Sequence, residues 1–343
     1  MKTSVCTVLA VSATLGAMAQ AQTVDVSFAR PSMDRWMYPF NFSRGSETFA
    51  ACFAAVMQPG FDDRDAQFLL GFVTGGANPV VEPGLGLGHY KVLSARLTVT
   101  VQNDLEARYD PTWDSFTSLL PDGDPRRTVD EDPARPLEVF AAGYRNGWSL
   151  ETFAENSTFG GVPIVQPAEG ARNVFPALIA EDGTVTDVSR QVREGFDAQP
   201  LAIATTDAVA PGELIPAGTV MTFDFPMCDP AVRRCFADAL NRGKLNLVVT
   251  SLEPTSGGPG GGTGDRTYPL FYTKEDPVNR PATLTMRVQV GGFADFNGDG
   301  FVDFFDYDDF VGAFERGDPA ADFNQDCFLD FFDYDDFVSA FEG

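Results

Sequence analysis

Two stretches near the C-terminus gather the residue types best suited to chemistry. Set one above the other, 295–315 (DFNGDGFVDFFDYDDFVGAFE) and 322–342 (DFNQDCFLDFFDYDDFVSAFE) agree at 17 of 21 positions, at an offset of 27. So close a repeat means two copies of one structural unit. Each copy opens D-x-N-x-D and carries further aspartates at positions 9 and 12. A calcium loop draws oxygen ligands from positions 1, 3, 5, 7, 9 and 12, the seventh through its backbone carbonyl. In the first copy these are Asp295, Asn297, Asp299, Phe301, Asp303 and Asp306; in the second, Asp322, Asn324, Asp326, Phe328, Asp330 and Asp333. Hard oxygens at this spacing suit Ca²⁺, and four carboxylates on one tight loop repel unless a cation sits among them. The expected cofactor is therefore two calcium ions. The second site is expected to be the weaker. Position 6 makes the sharp turn and favours glycine, but Cys327 stands where the first loop has Gly300. A disulfide from Cys327, to Cys52 or to another chain, is the rival account of that cysteine, since an exported chain permits one.

The element that positions each loop is an exit helix. Apolar residues fall at Tyr307, Phe310, Val311 and Phe314, and again at Tyr334, Phe337, Val338 and Phe341. Spacing of i, i+3, i+4, i+7 is one helical face. Phe304-Phe305 and Phe331-Phe332, at positions 10 and 11, are either core for a very small domain or a partner-binding face. The segment 293–343 carries fifteen Asp and Glu against one basic residue, Arg316. That is over half of the net charge of −25. Such a charge argues against nucleic acid and against an anionic membrane surface.

The rest of the chain must carry this unit. Residues 1–21 have the layout of a secretory signal peptide: Lys2, a short apolar run, then small-x-small sites at Ala17-Met18-Ala19 and Ala19-Gln20-Ala21. The apolar run is too short to span a bilayer, and no later segment is a membrane span. Cys6 lies early in that run rather than at a cleavage site, so it is not read as lipid-modified. The expected location is secreted, extracellular or cell-surface. Residues 23–290 read as β-rich, with strand-like runs at 66–74, 90–102, 201–206, 219–225, 245–252 and 282–290. Leu97, Val99 and Val101 alternate with polar residues, as do Leu284, Met286, Val288 and Val290. One helix is expected from the Asp229 N-cap and Pro230 to about Gly243. The loops, notably 122–136, are rich in Pro, Gly and Asp. The Gly-rich 257–264 reads as a hairpin loop, with 268–272 and 282–290 as closing strands and the domain boundary at Gly291-Gly292. The fold expected is mostly β: a jelly-roll-like β-sandwich followed by a small α-helical domain at 293–343. Of Cys52, Cys228, Cys235 and Cys327, the pair Cys228 and Cys235 is the first guess for a disulfide, with the other pairings open.

The tandem loop-and-helix unit resembles the type I dockerin, in which two half-EF-hands pack about a near-twofold axis. Its D-F-N-x-D-G-x-x-D-F-F-D-Y phrasing is also similar to that of the GC-type dockerin domain-anchored proteins, whose usual terminal Gly-Cys is replaced here by Gly343. The resemblance implies a cohesin-like partner and a role for Phe304, Phe305, Phe331 and Phe332 in recognising it. The β region resembles the DNRLRE-type carbohydrate-binding sandwiches. The residues that carry this likeness are 63–72 (DRDAQFLLGF), 94–99 (SARLTV) and Asp187-Val188-Ser189. Here the arginine precedes an Asp, and Ser189 stands where Thr is usual. Those sandwiches are non-catalytic, which implies a polysaccharide as a second partner.

Other residues point less sharply. His89 is the only histidine, which disfavours a Ser–His–Asp triad or a zinc site. Trp36, Trp113 and Trp148 suit core packing or a sugar-stacking platform. Asn41 and Asn156 begin glycosylation sequons. The reading is a secreted non-catalytic protein that docks through its calcium domain and displays a β-sandwich. A glycoside hydrolase carrying such a domain is the alternative, and a purely structural surface protein the third. A convergent carboxylate pair in a cleft would favour the hydrolase.

Overall fold

The computed structural model describes residues 22–38, 45–76, 78, 81–130, 132, 134–157, 172–180, 182–255 and 267–342. The expected signal peptide, the sequon at Asn41, the end of the sequon at Asn156 and the 257–264 loop lie outside these residues. The chain divides between Val290 and Gly291 into two units.

The larger unit is mostly β. Its strands are β1 (Gln22–Phe28), β2 (Met33–Met37), β3 (Phe49–Ala51), β4 (Phe53–Ala54), β5 (Arg64–Val73), β6 (Tyr90–Thr100), β7 (Leu137–Tyr144), β8 (Val174–Ile179), β9 (Val185–Asp187), β10 (Ala202–Thr205), β11 (Val220–Asp224), β12 (Lys244–Ser251), β13 (Leu270–Tyr272) and β14 (Thr283–Val290). Twelve of them form one curled antiparallel sheet with the backbone order β1-β14-β6-β11-β10-β7-β12-β5-β2. β13 pairs with β3 in a separate ribbon.

The alternating strands behave as their pattern dictates. Leu97 and Val99 in β6, and Leu284, Met286, Val288 and Val290 in β14, are buried, while Arg96, Thr285 and Arg287 face water. β5 is different. Nine of its ten residues are buried, so both faces are covered, and its run of apolar residues follows from that. Strands β1 to β4 and β7 to β9 lie outside the runs expected from the sequence. Tyr144 and Pro176 interrupt no alternation there, because none exists: β7 (LEVFAAGY) and β8 (VFPALI) are buried on both faces for most of their length.

Helix α1 (Gln191–Glu194) is a single turn, while α2 (Pro230–Arg242) begins and ends where capping chemistry places it. The Asp229 side chain accepts from the amides of Ala231 and Val232, and Gly243 closes the helix at φ 72°. The expected Cys228–Cys235 bridge is corrected. Cys235 is a free thiol on the buried face of α2, next to Phe236, Ala239 and Leu240, while Cys228 lies before the N-cap and is disulfide-bonded. Cys327 is also disulfide-bonded. Cys52, proposed as its partner, is instead a buried free thiol whose Sγ donates to the Val249 carbonyl.

Charge is drawn into this unit at the start of β5. Arg64 is fully buried; its Nη1 meets Glu138 Oε2 at 2.5 Å, Nη2 donates to Gln191 Oε1 at 3.0 Å, and the guanidinium lies 4.9 Å above the Phe140 ring. Arg172 bridges Asp62 and Asp65, and Arg193 holds Asp63 at 3.1 Å. The Arg64 amide donates to Ser189 O, which joins two of the three segments that carry the carbohydrate-binding resemblance.

The smaller unit contains α3 (Phe304–Glu315) and α4 (Phe331–Glu342). Its core is aromatic: Phe310 and Phe337 stack at 4.0 Å with planes 7° apart. Around them the packing repeats. Phe296 meets Phe310 at 5.4 Å as Phe323 meets Phe337 at 5.4 Å, and the crossed pairs are at 6.1 and 6.2 Å. Two matching copies facing each other generate this near-twofold arrangement. Among the described residues, no helix is long and apolar enough to cross a membrane.

Candidate functional site

Each acidic loop is built from the same set of short-range bonds. In the first, the amides of Asp299 and Phe301 donate to Asn297 Oδ1 and Asp299 Oδ1, both at 2.9 Å. Asp303 caps α3 by accepting from Phe305 N at 2.8 Å. Asp306 is fully buried, and its two oxygens accept from Asn297 N at 3.0 Å and Asp303 N at 2.9 Å. Gly300 N donates to Asp295 Oδ2 at 3.0 Å. The second loop repeats every bond: Asn324 Oδ1, Asp326 Oδ1 and Asp330 Oδ1 each accept at 2.9 Å, and Asp333 holds Asn324 N and Asp330 N. Cys327 N donates to Asp322 Oδ2 at 3.0 Å.

These bonds consume one oxygen of the first aspartate in each loop and leave the other. Asp295 Oδ1 and Asp322 Oδ1 are both buried and have no hydrogen-bond partner. A buried, unpaired carboxylate oxygen is costly unless a cation or donor meets it. That the same atom is orphaned in both copies suits a cation inside each loop. Burial raises the Asp322 pKa from its ordinary value, the Cys327 amide opposes this, and the nearby Asp333 and Asp326 charges add to the rise.

The turn geometry separates the copies. Residues at loop positions 4 and 6 take positive φ: Gly298 (74°) and Gly300 (90°) in the first, Gln325 (62°) and Cys327 (69°) in the second. The sequence reading found Cys327 but missed Gln325, which the comparison with Gly298 would have revealed. Two side-chain-bearing residues in left-handed backbone make the second loop the more strained.

The phenylalanines leave the small core. Phe304, Phe305, Phe331 and Phe332 are 67–78% exposed, so the core half of the open choice is set aside for both members of each pair. Phe301 and Phe328 are exposed alongside them, at 70% and 72%. Their carbonyls are the expected ligands, while their side chains point to solvent. Six phenylalanines, three from each copy, thus turn most of their surface to solvent.

Elsewhere Glu47, Asp65 and Asp110 each also leave one buried oxygen without a hydrogen bond, Asp65 beside the Arg172 guanidinium. Among the described residues, one trio of acid oxygens lies within 4.8 Å of one another: Asp34, Glu155 and Glu275. The Lys274 ammonium stands among them. The loop acids do not form such a trio. A cavity of about 460 Å³ lies beside α2, lined by Tyr144, Trp148, Arg234, Asp238, Arg242 and Lys244. Trp36, Trp113 and Trp148 build no common platform: Trp36 stacks on Tyr38, Trp113 donates to Ala198 O, and Trp148 packs edge-on against Phe153. His89 is exposed in a single helical turn. No family model, curated protein or solved structure matches this chain.

Proposed function

We propose that this is a secreted docking protein: a dockerin-like pair of calcium loops at 293–343 fastens it to a cohesin-like partner, and a jelly-roll-like β-sandwich is displayed on that anchor. The observation that carries the reading is the doubled loop, with Asp295 Oδ1 and Asp322 Oδ1 buried and unpaired at equivalent places. Calcium at each loop would be held by the side chains of Asp295, Asn297, Asp299, Asp303 and Asp306 with the Phe301 carbonyl, and by Asp322, Asn324, Asp326, Asp330 and Asp333 with the Phe328 carbonyl. The ion supplies the positive charge that these carboxylates otherwise lack. With the loops closed, the six exposed phenylalanines stand as two equivalent apolar faces for the partner. The larger unit offers the cavity beside α2 for a saccharide, with Trp148 and Tyr144 as apolar walls and Asn246 as a polar one.

The test is retention of a cohesin-type receptor on the immobilised whole chain, with calcium and with chelator. Binding should require calcium and should fall at least tenfold when Phe304, Phe305, Phe331 and Phe332 are all replaced by Ala. Equal retention in chelator, or by the alanine variant, overturns the reading.

A further inference from the structure

Lys274 stands in an arrangement that exceeds an ordinary ion pair. Its side chain is 10% exposed and Asp34's is fully buried, with Nζ 2.9 Å from Asp34 Oδ1. The Lys274 backbone amide also donates to Asp34 Oδ2, at 2.6 Å, so the lysine grips this carboxyl from two directions. Glu155 Oε1 contacts the same Nζ and accepts from the Asp34 amide at 3.3 Å. The surroundings hold each group in place. Arg30 donates to Lys274 O at 2.7 Å, and Arg35 donates to Glu155 O at 2.7 Å. Asp34 lies on β2 at the edge of the large sheet, and Lys274 follows β13, 240 residues later.

We propose that Lys274 and Asp34 are joined by an intramolecular amide bond, which the folded protein makes itself with Glu155 as the proton carrier. Amine, carboxyl and a second acid fixed within contact distance supply the proximity and the acid–base group that amide formation needs. Glu155 relays one proton from the Lys274 ammonium to the Asp34 carboxylate, leaving a neutral amine facing a neutral carboxyl. The nitrogen lone pair attacks Asp34 Cγ and the C–N bond forms. A second proton passes from nitrogen, through Glu155, to a carboxyl oxygen; the C–O bond breaks and water leaves. An ammonium and a carboxylate thus become an amide and water, with no oxidant or reductant. Burial favours this route, since it raises the Asp34 pKa to about 6 against the opposing pull of Lys274 and so eases protonation of the carboxyl. The bond would tie the edge strand near the start of the larger unit to its closing segment, so that β2 cannot peel from the sheet. The inference is independent of the calcium reading and concerns other residues.

Intact-mass measurement of the purified whole chain, with disulfides reduced, decides the matter. The chain should be about 18 Da lighter than its sequence requires, the mass of the water lost on condensation. Tryptic digestion should yield one branched peptide joining the Asp34 and Lys274 segments. Glu155→Gln should restore the full mass. Asp34→Asn should lose about 17 Da instead, because ammonia rather than water leaves. The wild-type mass stands as a test even if the variants fold poorly. A full-mass wild type with a free Lys274 overturns the proposal. So does a branch at Glu275 or Glu155, and linkage that persists in Glu155→Gln removes Glu155 from the mechanism.

Discussion

Residues 23–290 and 291–343 are both rich in acid, yet they neutralise it in different ways. In the larger unit, Asp62, Asp63, Asp65 and Glu138 are buried and each meets an arginine: Arg172, Arg193 or Arg64. The smaller unit has fifteen acids and only Arg316. Eight of those acids lie on α3 and α4; the loop acids bond to backbone amides, and one buried oxygen per loop has no partner. The contrast follows from size. A large unit can bury whole ion pairs beneath strands, with further hydrogen bonds to satisfy them. A unit of two helices has too small a core for that and needs an external staple. The larger unit is thus expected to carry its counter-charges within its own sequence, and the smaller to take them from solution.

The strongest way to break this comparison is to remove the metal. Hydrogen exchange on the whole chain in chelator should show protection lost across α3 and α4, because metal binding to so small a unit is also its folding energy. Amides of β5, β6 and β12 should keep theirs. Protection of α3 unchanged in chelator would show that the smaller unit folds on its aromatic core alone.

Substitutions come next in size. Arg64→Ala strands Glu138 in the interior and should cost the larger unit about 3–5 kcal/mol, read by denaturant unfolding. Phe310→Ala empties the centre of the small core and should cost a similar ~3–5 kcal/mol. Phe304→Ala, at an exposed site six residues earlier, should change stability by less than about 0.5 kcal/mol. If Phe304→Ala proved as costly as Phe310→Ala, the exposed faces would be core after all.

A smaller effect distinguishes the loops from each other. Calorimetry should find two unequal calcium sites. Gly300→Ala places a side chain at φ 90° in open space, so only backbone strain is added. At about 1 kcal/mol, it should weaken the first site several-fold. Gln325→Gly should tighten the second by a similar factor, and unlike a change at Cys327 it leaves the disulfide intact. Two indistinguishable sites in the wild type would remove the strain argument.

The smallest difference is one of sign. Burial pushes Asp65 up to about 6 and Glu253 up to about 7. A raised carboxyl keeps its proton in the folded chain at pH values where the unfolded chain has lost it. Stability is therefore lost as pH rises from the ordinary carboxylate range through 6 to 7, and regained as it falls. Calcium loops respond the other way, because their ligands must be deprotonated. Moving from pH of about 7.5 to about 5.5 should raise the unfolding midpoint of the larger unit slightly while lowering calcium affinity. A larger unit that weakens over that range would mean these two acids are better solvated than their burial indicates.

Local patterns wrote much of this molecule into its sequence. Period-2 alternation marked β6 and β14, the Asp229-Pro230 cap and Gly243 bounded α2, and the 27-residue repeat marked two equivalent loops and helices. Each depends on neighbours along the chain, where spacing alone fixes which side chains meet. What depends on distant residues was hidden. β7 and β8 lack alternation because both of their faces are buried for most of their length, which only the packed fold decides. Cys235 is a free thiol because α2 turns it into the core. Whether Phe304 and Phe305 faced in or out was undecided until Phe296, Phe310, Phe323 and Phe337 had filled the small core between the two copies. And nothing in the spacing of Asp34, Glu155 and Lys274, spread over 240 residues, indicates that one half-buried lysine meets both carboxylates. Short-range order is a property of the chain; the meeting of these three groups comes from the sheet that brings its edge strand beside its closing segment.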